Sequence, residues 1–318
     1  MFELTAFIHT FAIIAPVGLT ALGSSYGGGI ASKSALLSID QQPKAKDFIV
    51  RTLLIGLALI ETSTIIGLLV TFYIMKQTSS IQNIYQAIAT LGASLAIALP
   101  GMVVAYSSAR ALRQTTPAIA RQPFFARKII NLMILTQSLI QTPVIFGFIL
   151  SMIILGNVHL VTTSGQAFGF LASGLCLGIG VMGPTYGLGT FAGSVCQSVG
   201  KARHAYSKLL TFSLVGGAVI ETPNIFALVV SVLIAHLSKT PATGLLASVV
   251  FISAGLCTGL GTIGAGVTSG MIAAKTANKI ADDIEQYGAY SRMCMLAQGL
   301  VDTNALYTLI VSLVILSK

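Results

Sequence analysis

A short phrase recurs four times in this chain of 318 residues, with 80, 80 and 81 residues between its central positions. Self-similarity at a fixed spacing is typical of a chain built from one structural unit used several times, and it limits the fold before any local pattern is considered. The central position holds an acid in three copies and an amide in the second. The four copies are Ile60-Glu61-Thr62, Ile140-Gln141-Thr142, Ile220-Glu221-Thr222 and Val301-Asp302-Thr303.

Composition places these units in a membrane. The chain is 54% hydrophobic and 8% charged, with a mean hydropathy of +0.88, whereas about 25% of a soluble domain is charged. We therefore expect an integral membrane protein that contacts lipid and not nucleic acid, despite its net charge of +9. Met1-Phe2-Glu3 lacks the basic start of a signal peptide, so the first apolar segment is expected to remain as a helix.

Each unit holds two apolar segments, and each segment exceeds the roughly 20 helical residues that cross a bilayer. We predict an all-α membrane protein with eight transmembrane helices, arranged as four tandem hairpins packed side by side. The predicted helices cover about 5–40, 46–76, 82–116, 124–155, 164–200, 205–236, 242–284 and 287–316. The predicted units are 1–80 with Glu61, 81–160 with Gln141 and no acid, 161–240 with Glu221, and 241–318 with Asp302.

The basic residues predict how these hairpins are oriented. Fifteen of the 18 Lys and Arg residues flank the loops inside the hairpins, and only Lys76, Lys239 and Lys318 lie on the other side. Cytoplasmic loops carry an excess of Lys and Arg. We therefore expect the intra-hairpin loops to be cytoplasmic and both termini to face outward.

The first helix of several hairpins is rich in glycine, with seven glycines between Gly174 and Gly193 in the third unit. Small residues let membrane helices approach closely, so the first helices should form a tight inner layer. The chain has no Gly-Lys-Ser/Thr signature at these glycines, which argues against a phosphate-binding loop.

The acids lie in the second helices, deep in apolar sequence. Desolvation disfavours a charged carboxyl group in hydrocarbon, so such a group should stay protonated until it meets water or a fixed cation. A single buried acid could also be structural, hydrogen bonded to a neighbouring helix. Three acids at one repeat position, Glu61, Glu221 and Asp302, favour ion carrying, with Gln141 as an inactive equivalent.

The whole chain resembles the proteolipid (c-type) subunits of rotary ATPases. The resemblance rests on the glycine-rich first helix, as in 27–33, on the acid 18 residues after Pro43, and on a polar loop. Ala120-Arg121-Gln122-Pro123 matches the family's Arg-Gln-Pro loop, and Asp40-Gln41-Gln42-Pro43 is a near match. Units three and four depart from it, with Lys201-Ala202-Arg203 and Asp283-Ile284-Glu285 in those places. F-type members usually have one hairpin and V-type members commonly have two, whereas this chain is expected to have four.

The resemblance implies a subunit of a membrane rotor ring, built with further copies of the chain in an F-like or V-like ATP synthase or ATPase. Such a subunit is not itself catalytic and holds no cofactor. It carries ions past a stator subunit whose half-channel arginine displaces each one, and absent targeting signals favour a bacterial plasma membrane. Each chain would carry three ions per four hairpins. The expected contacts with the central stalk are Gln41, Gln42, Pro43, Arg121, Gln122 and Pro123.

The residues around the acids favour H⁺ over Na⁺ as the carried ion. Na⁺ is a hard ion that needs several oxygen ligands, and sodium-type relatives use a Gln on the first helix. That position holds Gly28, Ser108, Leu188 and Ser269. The expected ion-site neighbours are Thr62, Thr222, Thr303 and, one turn before Asp302, Gln298.

Two alternatives remain open. A free-standing eight-helix ion channel or secondary transporter would also contain repeats, although transporter repeats are commonly inverted and have broken helices. The other is a purely structural component of a ring.

Overall fold

In a computed structural model, the structure describes residues 2–78, 81, 83–240 and 245–317. They form ten α-helices, which combine into eight segments long and apolar enough to cross a membrane, as predicted. The helices are α1 Phe2–Gln41, α2 Lys46–Gln77, α3 Ile84–Arg121, α4 Ala126–Ile140, α5 Thr142–Leu155, α6 Ser164–Gly180, α7 Met182–Lys201, α8 Tyr206–Leu237, α9 Leu245–Asp282 and α10 Tyr287–Leu316. Hairpin 1 is α1–α2, hairpin 2 is α3–α5, hairpin 3 is α6–α8 and hairpin 4 is α9–α10.

The loops inside hairpins 1–3 share one short design. A single irregular residue is followed by a one-turn 3₁₀-helix, at Pro43–Ala45, Pro123–Phe125 and Arg203–Ala205. Proline suits the first position of such a turn because its missing N–H has no helical partner there. The predicted unit boundaries at 80/81 and 240/241 involve residues outside the described ranges, so the boundaries stay predictions.

The helices form two layers. The first helix of each hairpin packs along the first helix of the next, in the order α1, α3, α6–α7, α9. The second helices α2, α4–α5, α8 and α10 pack mainly against these first helices and less against one another. The first helices therefore form a tight layer, and the second helices form a looser one on its outside.

Glycines bring the inner helices together. A side chain on Gly23 would overlap the main chain of Met102, and one on Gly174 would overlap the main chain of Gly92. Gly187 and Gly270 meet in the same way between hairpins 3 and 4. These contacts confirm the tight inner layer expected from the small residues of the first helices.

A hydroxyl-to-carbonyl hydrogen bond joins the two layers in every hairpin. In hairpins 1, 2 and 4 the outer helix donates, and in hairpin 3 the inner helix donates. The pairs are Thr71 Oγ1 to Ile13 O (3.1 Å), Ser151 Oγ to Ala93 O (2.6 Å), Ser173 Oγ to Ser231 O (2.7 Å) and Ser312 Oγ to Ala254 O (2.9 Å). The repeat is therefore visible in individual contacts as well as in the order of helices.

The prediction of one continuous helix over 124–155 is wrong, because the segment is interrupted at Gln141. Pro143 has no N–H to give the carbonyl oxygen of Leu139. The Thr142 hydroxyl donates to that oxygen instead, at 2.9 Å. A proline alone does not force a break, since α8 runs unbroken through Pro223.

The predicted continuous helix over 164–200 is likewise interrupted, at Val181. Here Pro184 leaves the carbonyl oxygen of Gly180 without its helical donor. The hydroxyl of Thr262 on α9 donates to this oxygen at 2.8 Å. The helix break in hairpin 3 therefore receives a hydrogen bond from hairpin 4.

The two ends of the inner layer are open, since α1 and α9 make no extensive contact with each other in the described chain. Gly264 on α9 occupies the repeat position of Gly23 and Gly183, each of which abuts the next inner helix. A side chain on Gly264 would meet nothing within 4 Å. At the other end, Leu22 of α1 is 65% exposed. The chain is thus an open arc of hairpins with an unpaired face at each end.

Candidate functional site

Gln141 lies at the boundary between hairpins 1 and 2. Its Nε2 donates to the main-chain oxygen of Leu59 on α2 at 2.8 Å and to Ser108 Oγ on α3 at 3.3 Å. Its Oε1 accepts from Ser63 Oγ at 3.4 Å. We call the central position of the repeated phrase the phrase position. In hairpin 2 it therefore faces the outer helix of the hairpin before it.

Glu221 follows the same arrangement one boundary further on. The Thr142 side chain, in hairpin 2, lies within hydrogen-bonding reach of its carboxyl group. Glu221 is partly buried, and its Oε1 has no hydrogen-bond partner among the described residues. The carboxyl group thus sits between hairpins 2 and 3.

Asp302 is the most enclosed of the three acids, at 7% exposure. It lies on α10, which packs against both α8 and α9. Its Oδ1 is buried and is without a hydrogen-bond partner in the described parts of the chain. Asp302 therefore occupies the boundary between hairpins 3 and 4.

Glu61 differs because it lies on the open face of hairpin 1. It is exposed and lines an open cavity on the unpaired face of hairpin 1, together with Ser24, Ser25 and Gly28 of α1. The repeat places Leu300 and Asn304 of α10 at the positions of Leu59 and Ser63, and both are exposed. Glu61 and these two residues mark opposite ends of the arc.

The threonines that follow the phrase position bond to their own helices. Thr62 donates to Ala58 O at 3.1 Å, Thr222 to Ala218 O at 3.4 Å and Thr303 to Leu300 O at 2.6 Å. Thr142, the fourth, adjoins the acid of the next hairpin. The sequence places three of the threonines beside the acid of their own hairpin. Thr142 instead follows Gln141 and lies near the acid of the next hairpin, while its hydroxyl donates to Leu139 O.

Gln298 is fully buried and is engaged away from the acid. Its Nε2 donates to Ser269 Oγ at 3.0 Å, and its Oε1 accepts from the Cys294 thiol at 3.5 Å. Gln137 has the same place in hairpin 2 and donates to Ser108 O at 3.1 Å. The role of Gln298 as an ion-site neighbour stays a prediction.

The polar loops of hairpins 1–3 lie side by side, where the first helix of each hairpin ends and the second begins. They line one shared cavity, and Gln122 Nε2 donates to Gly200 O at 3.0 Å between hairpins 2 and 3. Phe124 at the tip of the second loop is fully exposed. The surface includes Gln42, Arg121, Gln122 and Pro123, and Gln41 and Pro43 adjoin it as exposed residues of the first loop.

Several polar residues near the acids were not predicted. Ser63 bonds to Gln141 from another hairpin, and Asn224, three residues after Glu221 on α8, and Thr185 on α7 are fully buried. The sequence signal for them was polarity inside apolar helices, since Asn224 lies one turn after Glu221. Packing between repeats decides which hairpin each of these polar residues contacts. Spacing along the chain does not reveal that packing.

Comparison with known protein families identifies the repeated unit. The sequence model of the ATP synthase C subunit family matches four times, at residues 11–74, 91–154, 171–234 and 252–315. The chain belongs to the ATP synthase C subunit family. Each match spans one hairpin, so four units of this family are fused here in one membrane proteolipid.

Individual relatives from this family cover about one such unit. The chain is 47% identical over 68 residues to the ATP synthase c subunit of Protochlamydia amoebophila, a match that spans 21% of this chain and 69% of the relative. It is 40% identical over 75 residues to the ATP synthase c subunit of Gloeobacter violaceus, with 24% and 92% covered. For the ATP synthase c subunit of Bacillus thuringiensis the values are 33% over 61 residues, with 19% and 85% covered. Family membership thus confirms the resemblance drawn from the motifs.

Proposed function

We propose that the chain is a rotor-ring subunit of a rotary ATP synthase or ATPase, and that Glu61, Glu221 and Asp302 carry protons around the ring. The carboxyl groups bind and release the ion, and nucleotide chemistry takes place on other subunits. Membership of the ATP synthase C subunit family favours this role over a free-standing channel or transporter.

The observation that carries the proposal is the shared position of the acids. Each one lies on the outer helix of its hairpin, along apolar sequence. Glu221 and Asp302 lie at a boundary with the preceding hairpin, and Glu61 lies on the unpaired face of hairpin 1. A carboxyl group there is neutral when protonated and compatible with lipid, and it can ionise only where water or a cation reaches it. Rotation of such groups past a stator arginine would move one proton per acid.

Closure of the arc with further copies supports the same role. Gly264 at one end accommodates a neighbouring helix, and the repeat pairs it with a residue equivalent to Met102 and Ile263, which is Leu22 of a second copy. Leu300, 72% exposed, would then cover Glu61 as Leu59 covers Gln141. Ring closure therefore gives Glu61 an environment like that of the other phrase positions.

The contacts at the acids support H⁺ as the ion. All four threonines donate their hydroxyl hydrogen to a carbonyl oxygen of their own hairpin, and the Gln298 amide is bonded to Ser269. A bound Na⁺ would need several oxygens aimed at one point. A proton needs only the carboxyl group.

The loop surface is the proposed contact with the central stalk. Its residues from hairpin 2 match the family loop and those from hairpin 1 nearly match it, and the basic residues around the loops favour a cytoplasmic position. The termini would then face outward, in a bacterial plasma membrane. Stalk subunits, the stator and lipid are the partners that this arrangement requires.

We propose that Gln141 occupies a repeat position that carries no ion. An amide does not exchange a proton at ordinary pH, so each chain would carry three ions per four hairpins. Fewer ions per turn favour ATP-driven pumping over synthesis.

A carboxyl-directed carbodiimide tests the proposal in the intact complex. Labelling of Glu61, Glu221 or Asp302, located by peptide mass spectrometry, should block ATP-driven proton transport. Full transport after complete labelling of all three acids would overturn the proposal, as would solute transport by the isolated chain without ATPase partners.

A further inference from the structure

Two fully buried polar side chains of hairpin 3, Asn224 and Thr185, and one carboxyl oxygen of Glu221 have no hydrogen-bond partner among the described residues. Asn224 is 0% exposed, and neither its Oδ1 nor its Nδ2 is bonded to any described residue. Thr185 is also fully buried, and its hydroxyl has no hydrogen-bond partner among the described residues. The same holds for Glu221 Oε1. An unmet hydrogen-bonding group in a membrane interior is costly, so such a cluster points to a ligand.

Two contacts between hairpin 3 helices locate the cluster. A side chain on Gly217 of α8 would lie 3.8 Å from Leu188 of α7, and one on Gly180 would meet Ala227 of α8. The helices are antiparallel, so Thr185 lies between these contacts, level with Glu221. Asn224 follows Glu221 by three residues, which places the two side chains next to each other on α8.

Hairpin 1 contains a related cluster 160 residues earlier in the chain. Ser25 and Thr64, the equivalents of Thr185 and Asn224, line one cavity with Glu61. The Thr64 hydroxyl is again buried and without a described partner. The repeat thus supports a single shared site for the three positions in hairpin 3.

The other two hairpins lack this polarity. Hairpin 2 has Ala105 and Val144 at the two positions, and hairpin 4 has Gly266 and Ala305. The polar positions therefore accompany glutamate and not Gln141 or Asp302.

We propose that Asn224 and Thr185 bind one ordered water molecule against the carboxyl group of Glu221. The cluster offers an amide donor, amide and carboxyl acceptors, and a hydroxyl that can do both. A water molecule has two donors and two acceptors and needs two to four polar partners when buried. A bare cation cannot accept from the Asn224 amide nitrogen. The water gives Glu221 a route for proton exchange that Asp302 does not share, and this consequence rests on the proposed ion-carrying role.

A structure of the intact complex, at a resolution that shows ordered water, tests the binding itself. Density between Asn224 and Glu221 is expected in the native chain and should disappear in Asn224→Leu. A native map without that density would overturn the proposal. The ion-carrying role is judged separately, by transport after carbodiimide labelling, so the two can fail independently.

Carbodiimide reactivity supplies a functional readout, because the reagent attacks the protonated carboxyl group. Losing a water that stabilises the ionised form should make Glu221 react roughly tenfold faster in Asn224→Leu, the effect of about one hydrogen bond to a charged group. Asp302 in the same molecule should keep its rate. Thr185→Val, close to isosteric, should shift Glu221 in the same direction. An unchanged Glu221 rate in both variants would contradict the proposal.

Two controls separate bound water from a packing change and from bound Na⁺. Val144→Leu changes the equivalent position of hairpin 2 and should leave the Glu221 rate as it is. Excess Na⁺ should not protect Glu221 in the native chain. Strong protection that Asn224→Leu removes would mean that the subsite binds Na⁺, and the water proposal would be wrong.

Discussion

The side-chain amide of Gln141 donates a 2.8 Å hydrogen bond to the main-chain oxygen of Leu59, across the boundary between hairpins 1 and 2. The same amide reaches Ser108, and its oxygen accepts from Ser63. A phrase position thus belongs to two hairpins at once. In hairpin 2 the Gln141 side chain links the two hairpins through these hydrogen bonds. A carboxyl group that exchanges protons would have to break such bonds.

Replacing Gln141 with Glu tests whether the missing acid is the only reason that this position carries no ion. Carriers per chain would rise from three to four, so Gln141→Glu should raise the ions moved per ATP by about one third. The measurement is the ion-to-ATP ratio of the complex in proteoliposomes. Gln141→Leu removes the same hydrogen bonds without adding a carrier and should leave the ratio unchanged. An unaltered ratio in Gln141→Glu would mean that the site is silent for more than its missing carboxylate.

Gly264 provides a test of ring closure. Because nothing lies within 4 Å of its position, Gly264→Leu should leave the single chain folded but should block the approach of a second copy. Native mass spectrometry should show almost complete loss of the ring. Gly299 on α10 is equally open, but its equivalents Ser138 and Ala218 are exposed and not at a boundary between hairpins. Gly299→Leu should assemble normally, and equal behaviour of the two variants would count against closure at Gly264.

The bond from Thr262 to Gly180 makes a stability prediction. Thr262→Val leaves the Gly180 oxygen without this donor and should destabilise the chain by about 1 kcal/mol. Pro184→Ala restores an N–H that can reach the same oxygen. In the double variant the loss from Thr262→Val should therefore be smaller. Thermal unfolding in detergent measures all three variants, and strictly additive effects would show that the two residues do not share this oxygen.

The stalk-contact prediction distinguishes loops that otherwise look alike. Arg121→Ala, in the family-like loop of hairpin 2, should weaken attachment of the soluble ATPase head to the ring without altering ring assembly. Lys201→Ala lies in the adjacent loop of hairpin 3, which lacks the motif, and should have little effect. Co-purification of head and ring reports both. Similar losses in the two variants would indicate general charge attraction rather than recognition of the loop motif.

The sequence was sufficient for everything that depends on the repeat. The eight membrane segments, the glycine-rich inner layer and the common position of Glu61, Gln141, Glu221 and Asp302 all follow from spacing and hydropathy. The structure confirms the helical segments and the close contacts such as that of Gly23 with Met102.

Contacts between repeats were beyond that reasoning. Thr142 of hairpin 2 adjoins Glu221 of hairpin 3, and Ser63 of hairpin 1 bonds to Gln141 of hairpin 2, because these sites are built across a boundary. The breaks at Gln141 and Val181 also depend on context. Pro143 and Pro184 accompany breaks, whereas Pro223 lies inside a continuous helix.

The most direct test of the central claim removes all three proposed carriers at once. The complex with Glu61→Gln, Glu221→Gln and Asp302→Asn should still form a ring, since neutral amides resemble the native Gln141, and ATP-driven proton transport in proteoliposomes should fall to background. Transport that persists in this triple variant would show that the ion is carried elsewhere in the complex.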